Sequence, residues 1–184
     1  MNTTKNAIVS KMLGVIRFMF LKIRFSKRLT SNGLSIIGKS AFFYINRGGS
    51  ISIGKKVIIS EYCEIQSSGA LKLGDRVYLN RNSRIIAFDK IEIGSDVTIA
   101  QFVAILDHDH KFEMKEGRLN LDGYTSDPVV IGNNVWIGDK CSILKGSKIG
   151  SNVVVAAHTL VNGIVPSNCI VAGVPFKVIK RLGA

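Results

Sequence analysis

Aliphatic residues recur at every sixth position along most of the chain. The step widens to eight residues from Ile65 to Leu73 and from Ile85 to Ile93, at the same point of a twenty-residue cycle. The members of the series are Ile53, Ile59, Ile65, Leu73, Leu79, Ile85, Ile93, Ile99 and Ile105, then Ile131, Ile137, Ile143, Ile149, Val155 and Val161. On a helix with 3.6 residues per turn every sixth residue would drift round the surface, whereas short strands joined by corners return it to one face. The pattern therefore predicts strands and corners.

The hexads predict a parallel β-solenoid in which three of them form one triangular coil. Successive coils would stack at the roughly 4.8 Å spacing of paired strands, with the aliphatic ladder along the axis. Gly, Asn and Asp follow many ladder residues, as in Ile131-Gly132-Asn133, and suit corners that need a permissive backbone. An ordinary β-sandwich would show looser spacing and larger core residues. The expected fold is all-β, with the solenoid over residues 51–172.

The ladder is interrupted once, between Ile105 and Ile131. The intervening residues 106–130 are polar and charged, and they include two of the three histidines of the chain, His108 and His110. Loops of this length inside a compact repeat are uncommon and usually functional. We therefore expect a protruding loop that carries part of a site.

Charge divides the chain unevenly. Residues 1–60 contain eleven Lys or Arg and no Asp or Glu, whereas residues 61–184 contain fourteen basic and thirteen acidic residues. The predicted solenoid is thus nearly neutral, which argues against a nucleic-acid-binding groove along its faces. The length of 184 residues fits one domain, with a basic, apolar N-terminal segment at residues 1–50 and a tail at residues 173–184.

The pattern of the N-terminal segment predicts a short helix, whose function has two interpretations. Between Ala7 and Phe25, large apolar residues alternate with basic ones, and no uncharged run approaches the ~20 residues that a membrane span requires. The helix could cap the open end of the solenoid, whose first coil leaves unpaired edges. It could also lie on an anionic membrane surface. The cap is preferred, and the two interpretations are compatible.

Three cysteines, Cys63, Cys141 and Cys169, give an odd count without paired spacing. Cys63 and Cys141 fall on inward, small-residue positions of the hexads, so we predict buried packing thiols rather than nucleophiles. Unpaired thiols indicate a reducing, cytoplasmic compartment, with contact to the inner membrane face if the helix binds lipid.

Residues 129–182 resemble the hexapeptide-repeat acyltransferases, within which the sugar O-acetyltransferases related to galactoside, maltose and polysaccharide acetyltransferases are most similar. The specific strings are Asn133-Asn134-Val135-Trp136-Ile137-Gly138 and Ala172-Gly173-Val174-Pro175. The resemblance implies a left-handed coil, whereas general crossover rules would favour a right-handed one. It also implies acetyl-CoA as the acetyl donor, no metal, and a homotrimer with sites between neighbouring subunits.

Acetyl transfer to a sugar hydroxyl needs a base for the hydroxyl proton, donors for the oxygen of the tetrahedral intermediate and a slot for the carrier. Histidine suits the first role, and backbone N–H groups at a corner suit the second. Counting along the family pattern places His110 at the catalytic base, and a shift of the loop would substitute His108. Asp107, Asp109 or Glu113 could orient the imidazole.

The resemblance also implies roles for residues of the coils. It places Asn80 beside the acceptor and the base, Trp136 along the acetyl-CoA channel, and the backbones of Asp139 and Ala157 against the thioester and the pantetheine arm. Lys177 and Lys180 correspond to basic positions near the nucleotide phosphates. Asn162-Gly163 departs from the common Thr-Lys, and the acidic N-terminal region of the galactoside and maltose enzymes is missing. The acceptor is therefore not expected to be free maltose or galactoside.

The sequence predicts an acetyl-CoA-dependent O-acetyltransferase acting on a sugar of a bacterial surface polysaccharide or its precursor. An N-acetyltransferase of a nucleotide-linked amino sugar would use the same coils and base, and a non-catalytic β-helix scaffold is the other alternative. A zinc enzyme on this fold would need three converging histidines, whereas His108 and His110 are two apart and His158 is distant in the chain.

Overall fold

The computed structural model describes the backbone of residues 2–183 and the side chains of residues 7–183. Helix α1 (Asn2–Phe25) leads through a 3-10 turn (Ser26–Arg28) into a parallel β-solenoid of about seven coils. The predicted fold class is confirmed, because each coil contributes short strands to three parallel sheets, here called faces A, B and C. The left-handed sense of the coil stays an expectation from the family resemblance.

The strands of the three faces alternate along the chain. Face A contains β1 (Leu29–Ser31), β4 (Ser50–Ile53), β7 (Ala70–Leu73), β10 (Lys90–Ile93), β15 (Val129–Ile131), β18 (Lys148–Ile149) and β21 (Ile164–Val165). Face B contains β2 (Ile36–Ile37), β5 (Ile58–Ile59), β8 (Tyr78–Leu79), β11 (Val97–Ile99), β16 (Val135–Ile137), β19 (Val153–Val155), β22 (Cys169–Ala172) and the antiparallel β23 (Lys177–Arg181). Face C contains β3 (Phe42–Ile45), β6 (Glu64–Ser67), β9 (Arg84–Ala87), β12 (Ala104–Leu106), β17 (Ser142–Ile143) and β20 (Leu160–Val161).

The aliphatic ladder is the core. Residues of the hexad series lie opposite their own copies in the next coil, as in the row Ile53, Leu73, Ile93 and Ile131 on face A. The side chains of the hexad series are at most 3% exposed. Each such side chain contributes roughly 1.5–3 kcal/mol through burial, so the repeat supplies both the register and the stability of the solenoid.

The solenoid begins at Leu29, before the predicted boundary at residue 51. Strands β1, β2 and β3 pair in parallel with the second coil, so they form a complete first coil. The hexad series misses this coil because Ser31 occupies the ladder position that pairs with Ile53. At the other end, the predicted tail contains β23, which pairs with β22 and extends face B.

The interruption of the ladder is a β-hairpin. Strands β13 (His108–Lys115) and β14 (Arg118–Ser126) pair antiparallel and project from the corner between faces C and A, after the fourth coil. The N–H of Asp127 donates to the carbonyl of Asp107 at 2.9 Å, so the chain leaves and re-enters the solenoid at one point. The predicted loop is thus an ordered two-stranded arm.

Helix α1 packs on the first coil. Phe18 and Phe25 are buried against the end of the core. The guanidinium groups of Arg17 and Arg28 donate to the carbonyls of Ile37 and Ile45 at 3.3 and 2.8 Å, which satisfies acceptors that have no preceding coil. The helix is 24 residues long, longer than the short helix expected. Within residues 2–183, no helix combines the length and the apolarity needed to cross a bilayer.

The three cysteines are free and buried, which confirms the prediction made for Cys63 and Cys141 and adds Cys169. The thiols of Cys63 and Cys141 each donate to a backbone carbonyl of the next coil at 3.0 Å. Burial raises the pKa of all three thiols, so the thiolate form that reacts with electrophiles is disfavoured. These residues therefore pack the core.

We predict that Ile99→Ala lowers the free energy of unfolding by about 2–5 kcal/mol, because Ile99 is fully buried in the ladder and its removal leaves a cavity. Urea unfolding followed by circular dichroism measures the change. Thr98→Ala is the matched control, since its side chain on the same strand points outward. Equal losses in the two variants would contradict the assignment of the ladder as the core.

Candidate active site

The hairpin is rooted on a buried carboxylate. Asp107 is 0% exposed, and its two oxygens accept hydrogen bonds of 2.7–2.8 Å from the backbone N–H groups of Phe88, Asp89 and Lys90, which form the corner one coil earlier. A carboxylate that accepts several backbone donors is held in one orientation. Asp107 therefore fixes the point at which the hairpin leaves the solenoid.

The same carboxylate contacts His108. Nδ1 of His108 lies 3.1 Å from Oδ1 of Asp107, and the imidazole is 18% exposed. Because a carboxylate oxygen accepts, Nδ1 carries the hydrogen and Nε2 is left free to accept a proton. The rings of Phe88 and Tyr124 flank the imidazole, with centroids at 5.4 and 5.6 Å. His108 is thus a half-buried imidazole held by a fixed carboxylate.

His110, the residue at which the family count places the base, is exposed on the hairpin. Its ring contacts that of Tyr124 at a centroid distance of 4.5 Å and a tilt of 40°. Two of the three carboxylates expected to orient an imidazole pair with lysines instead. Asp109 pairs with Lys145 at 3.4 Å, and Glu113 pairs with Lys115 at 3.2 Å. Of the three candidate carboxylates, Asp107 is the one that contacts a histidine, and that histidine is His108.

A groove lies at the corner between faces B and C. It has a volume of about 330 Å³ and is lined by Ala100, Trp136, Gly138, Asp139, Val154, Val155, Ala156 and Ala157. Trp136 projects from the outer surface of face B with 55% of its surface exposed. The structure therefore brings together Trp136, Asp139 and Ala157, three residues singled out for the acetyl donor.

Small residues keep this corner open. Ala100, Gly138, Ala156 and Ala172 follow the last ladder residue of face B in successive coils. The N–H groups of the first three donate to the carbonyls of Ile137, Val155 and Val171 in the next coil at 2.8–2.9 Å. A Cβ at Gly138 would lie 2.6 Å from the amide nitrogen of Ala157, so only glycine fits there. Asn80 precedes Ala100 in this column, and its N–H donates to Ile99.

Two basic residues continue the groove toward the end of the solenoid. Strand β23 pairs Lys177 with Ala172 of the small-residue column, and Lys180 with Ile170 of the outward row that also contains Trp136 and Val154. Both lysines are exposed. A row of small residues therefore runs from Asn80 at one end to a pair of cations at the other.

Two backbone N–H groups in this groove lack an acceptor. At the corner between faces A and B, the second to sixth coils each donate an N–H to a side chain of the next coil, as Asn133 does to Ser151 at 3.0 Å. At the groove corner the N–H of Gln101 likewise donates to Asp139 at 3.0 Å. The next residue in the column is Ala157, whose methyl group cannot accept. Among the hydrogen bonds of residues 2–183, none has the N–H of Asp139 or of Ala157 as donor.

The third histidine, His158, lies at the corner between faces B and C. His158 has a left-handed backbone with φ of 61° and is exposed, and its N–H donates to the carbonyl of Asp139 at 2.8 Å. It is a corner residue on the groove side, distant from the hairpin root.

The described side chains include no cluster of three or more His, Cys, Asp or Glu residues placed to hold a metal ion.

The hairpin root and the groove lie at different corners of the triangle. Strand β12 of face C separates His108 from the Gln101–Asp139 corner, which places the two roughly 15 Å apart at the usual rise per residue in a strand. A base must come within hydrogen-bond reach of the proton that it removes. We call the hairpin root and the groove candidate half-sites, since one chain by itself does not bring them together.

Comparison with known proteins identifies similar chains. The profile described as "Bacterial transferase hexapeptide (six repeats)" matches residues 128–163. The chain is 35% identical over 147 residues to the putative lipopolysaccharide biosynthesis O-acetyl transferase WbbJ of Escherichia coli K12, covering 75% of each chain. It is 33% identical over 155 residues to the probable acetyltransferase Rv3034c of Mycobacterium tuberculosis, covering 83% of this chain and 52% of that protein. The chain thus spans about half the length of Rv3034c.

Solved structures show the same fold. AntD, an N-acyltransferase from Bacillus cereus solved with dTDP and 3-hydroxybutyryl-CoA, superposes with a TM-score of 0.72 over 91% of this chain and 88% of its own, at 24% identity. At this identity the likeness shows a shared architecture.

Proposed function

Because the chain belongs to the hexapeptide-repeat transferase family, we propose that it is an acetyl-CoA-dependent O-acetyltransferase that modifies a sugar hydroxyl of a surface polysaccharide or its precursor. The observation that carries the proposal is the contact between buried Asp107 and His108 at the interruption of the repeat. A scaffold would need neither this oriented imidazole nor a groove with free backbone donors. The relative named as a lipopolysaccharide biosynthesis O-acetyl transferase supports the class of acceptor.

The base in this proposal is His108, with Asp107 as its orienting carboxylate. Nε2 of His108 accepts the hydroxyl proton while the hydroxyl oxygen bonds to the thioester carbonyl carbon. The tetrahedral intermediate collapses with cleavage of the C–S bond, and the departing CoA thiolate takes the proton from the imidazolium. Counting along the chain favours His110, but the contact with Asp107 favours His108, and His110 then becomes a contact to the acceptor beside Tyr124.

The groove at the corner of faces B and C holds the donor. The N–H groups of Asp139 and Ala157 are available to the thioester oxygen and to an amide of the pantetheine arm, where fixed donors stabilise developing negative charge without reorganising. Trp136 lies along the arm, and Lys177 and Lys180 extend toward the phosphates. Lys177 and Lys180 each add a positive charge for these anionic groups. Asn80, at the far end of the column, contacts the acceptor.

The distance between the half-sites supports a shared active site. In the proposed homotrimer, the hairpin root of one protomer faces the groove of its neighbour, so that His108 reaches a thioester held by the other chain. Asp109, which is exposed, then borders the acceptor from the hairpin side, whereas the fully buried Asp107 acts through His108. The buried free thiols and a CoA donor both suit a reducing, cytoplasmic compartment.

We predict that His108→Ala lowers kcat/KM by about 100-fold or more, because the hydroxyl proton loses its acceptor. Release of free CoA thiol is measured with a panel of sugar, nucleotide-sugar and lipid-linked glycan acceptors. His110→Ala is the matched control two residues away and should retain turnover within about tenfold of the native rate. Loss of turnover in His110→Ala with retention in His108→Ala would reverse the assignment.

The same assay separates the alternatives. An acetyl ester product is cleaved by mild base and an acetamide is not, which distinguishes hydroxyl from amino acceptors. The only tryptophan of the chain is Trp136, so its fluorescence reports occupation of the groove. If the protein shows no turnover and its fluorescence does not respond to acetyl-CoA, the non-catalytic scaffold remains as the explanation.

A second prediction concerns the unpaired donors. Ala157→Ser would place a hydroxyl where Ser151 stands in the neighbouring column, and this hydroxyl would accept from the N–H of Asp139. Loss of one donor to the cofactor should weaken acetyl-CoA binding about 3- to 10-fold, the equivalent of about 0.5–1.5 kcal/mol. Titration of Trp136 fluorescence gives the dissociation constant. Ser151→Ala removes the equivalent acceptor away from the groove and should leave binding unchanged, and an unchanged constant in Ala157→Ser would contradict the role of this donor.

A third prediction tests the shared site. His108→Ala and Ala157→Glu each inactivate one half-site, the second by placing a carboxylate in the groove. When the two proteins are mixed under conditions that exchange subunits, about a quarter of native activity should return, because each interface draws its two halves at random. If both halves belonged to one chain, the mixture would stay inactive.

A further inference from the structure

Helix α1 has two apolar faces. One contains Gly14, Phe18, Leu21 and Phe25 and packs on the first coil. A Cβ at Gly14 would meet the side chain of Ile36 at 2.6 Å, so the helix lies close against the solenoid. This inner face accounts for the capping function of the helix.

The opposite face is also apolar, and it is exposed. Its eight residues are between 44% and 79% exposed, and they are Ile8, Val9, Met12, Leu13, Ile16, Met19, Phe20 and Ile23. At 100° per residue these positions fill one arc of about 140°, which contains no charged residue between Ile8 and Ile23. Soluble proteins rarely expose continuous apolar patches of this size unless they bind something.

Basic residues border this outer face on both sides. Lys11 and Lys22 lie along one edge, and Arg17 and Arg24 lie along the other. The guanidinium of Arg17 is held by the carbonyl of Ile37, while Lys11, Lys22 and Arg24 are exposed. The cations thus separate the inner apolar face from the outer one and flank the outer face with positive charge.

An apolar helix face with basic residues on both sides fits a surface that has an apolar interior and anionic groups at its boundary with water. We propose that the outer face of α1 seats the protein on an anionic lipid bilayer, with the helix parallel to the surface. Apolar side chains enter the acyl boundary, and flanking cations meet lipid headgroups, each contributing on the order of 1 kcal/mol. A second copy of the chain fits less well, because two such faces would bring their cations together while residues 1–60 contain no carboxylate to neutralise them.

The position of the helix has a consequence for the acceptor. Helix α1 covers the first coil and the hairpin leaves after the fourth, so the hairpin root stands about 25 Å from the bilayer, from three coil spacings and the diameter of a helix. A glycan anchored in the same bilayer by a lipid could reach this height. This step rests on the proposed function, and it makes a lipid-linked glycan the substrate.

The membrane contact is tested with sedimenting vesicles of phosphatidylcholine alone or with 30% phosphatidylglycerol. The native protein should sediment with the anionic vesicles at least about tenfold more strongly than with the neutral ones, and less in 0.5 M salt, where charge is screened. Ile16→Asp/Phe20→Asp should abolish sedimentation. Ile164→Asp, which charges an exposed residue on face A, should not.

Circular dichroism and the Trp136 response to acetyl-CoA show that each variant is folded. Absence of native binding to anionic vesicles, or unchanged binding by the double variant, would overturn the proposal. A double variant whose oligomer dissociates, together with a native protein that binds no vesicle, would assign the face to a second copy instead.

The substrate step has its own readout. The double variant should acetylate a lipid-linked glycan in anionic vesicles at least about tenfold more slowly than the native protein, and the same glycan released from its lipid at an equal rate. If the double variant and the native protein acetylate the lipid-linked glycan at equal rates, the proposal of a lipid-linked acceptor is wrong. No turnover by the native protein on either form would count against the proposed function, while the sedimentation result would still stand.

Discussion

Register between coils is the constraint on which the rest of this structure depends. Each strand has only two to four residues outside the hairpin and the terminal strand β23, so no strand is stable alone, and each depends on parallel partners above and below. The ladder of fully buried side chains, such as Ile59, Leu79 and Ile99, fixes that register because a one-residue slip would turn every ladder residue outward. The corners are then placed as accurately as the core, and corners are where both half-sites lie.

The corners differ in which groups accept hydrogen bonds from their backbone N–H groups, and this difference distinguishes the structural corner from the two candidate functional corners. At the corner of faces A and B an unbroken series of side chains accepts N–H groups from coil to coil, including Asp75 for Lys55 and Ser167 for Ser151. At the groove corner Asp139 accepts in this way from Gln101, and Ala157 at the next position carries no side-chain acceptor. The corner of faces C and A replaces this series with the buried carboxylate of Asp107, which satisfies three N–H groups and still contacts His108. One repeat thus yields a closed wall, a corner with two unpaired N–H groups and an imidazole in contact with a buried carboxylate.

The sequence predicts the solenoid well, because a hexad ladder reports directly on which residues share the axis. It misses the first coil, where Ser31 takes a ladder position and breaks the period. It locates both histidines but cannot choose between them, because the choice depends on the direction of the Asp107 carboxylate, which is set by the corner at Phe88 one coil earlier. Phe88 and Tyr124 carry no signal in the sequence, since they meet His108 only through coil stacking and hairpin pairing.

The N-terminal helix shows the same division between stability and function. A solenoid needs a cap on its first coil, and this need explains Phe18, Phe25 and the bonds of Arg17 and Arg28 to edge carbonyls. It does not explain the apolar outer face, because water would stabilise polar residues there equally well and at lower risk of aggregation. In the sequence the two basic stripes interrupt a single amphipathic pattern. In the structure they lie between two apolar surfaces, and packing against the first coil accounts for the inner one alone.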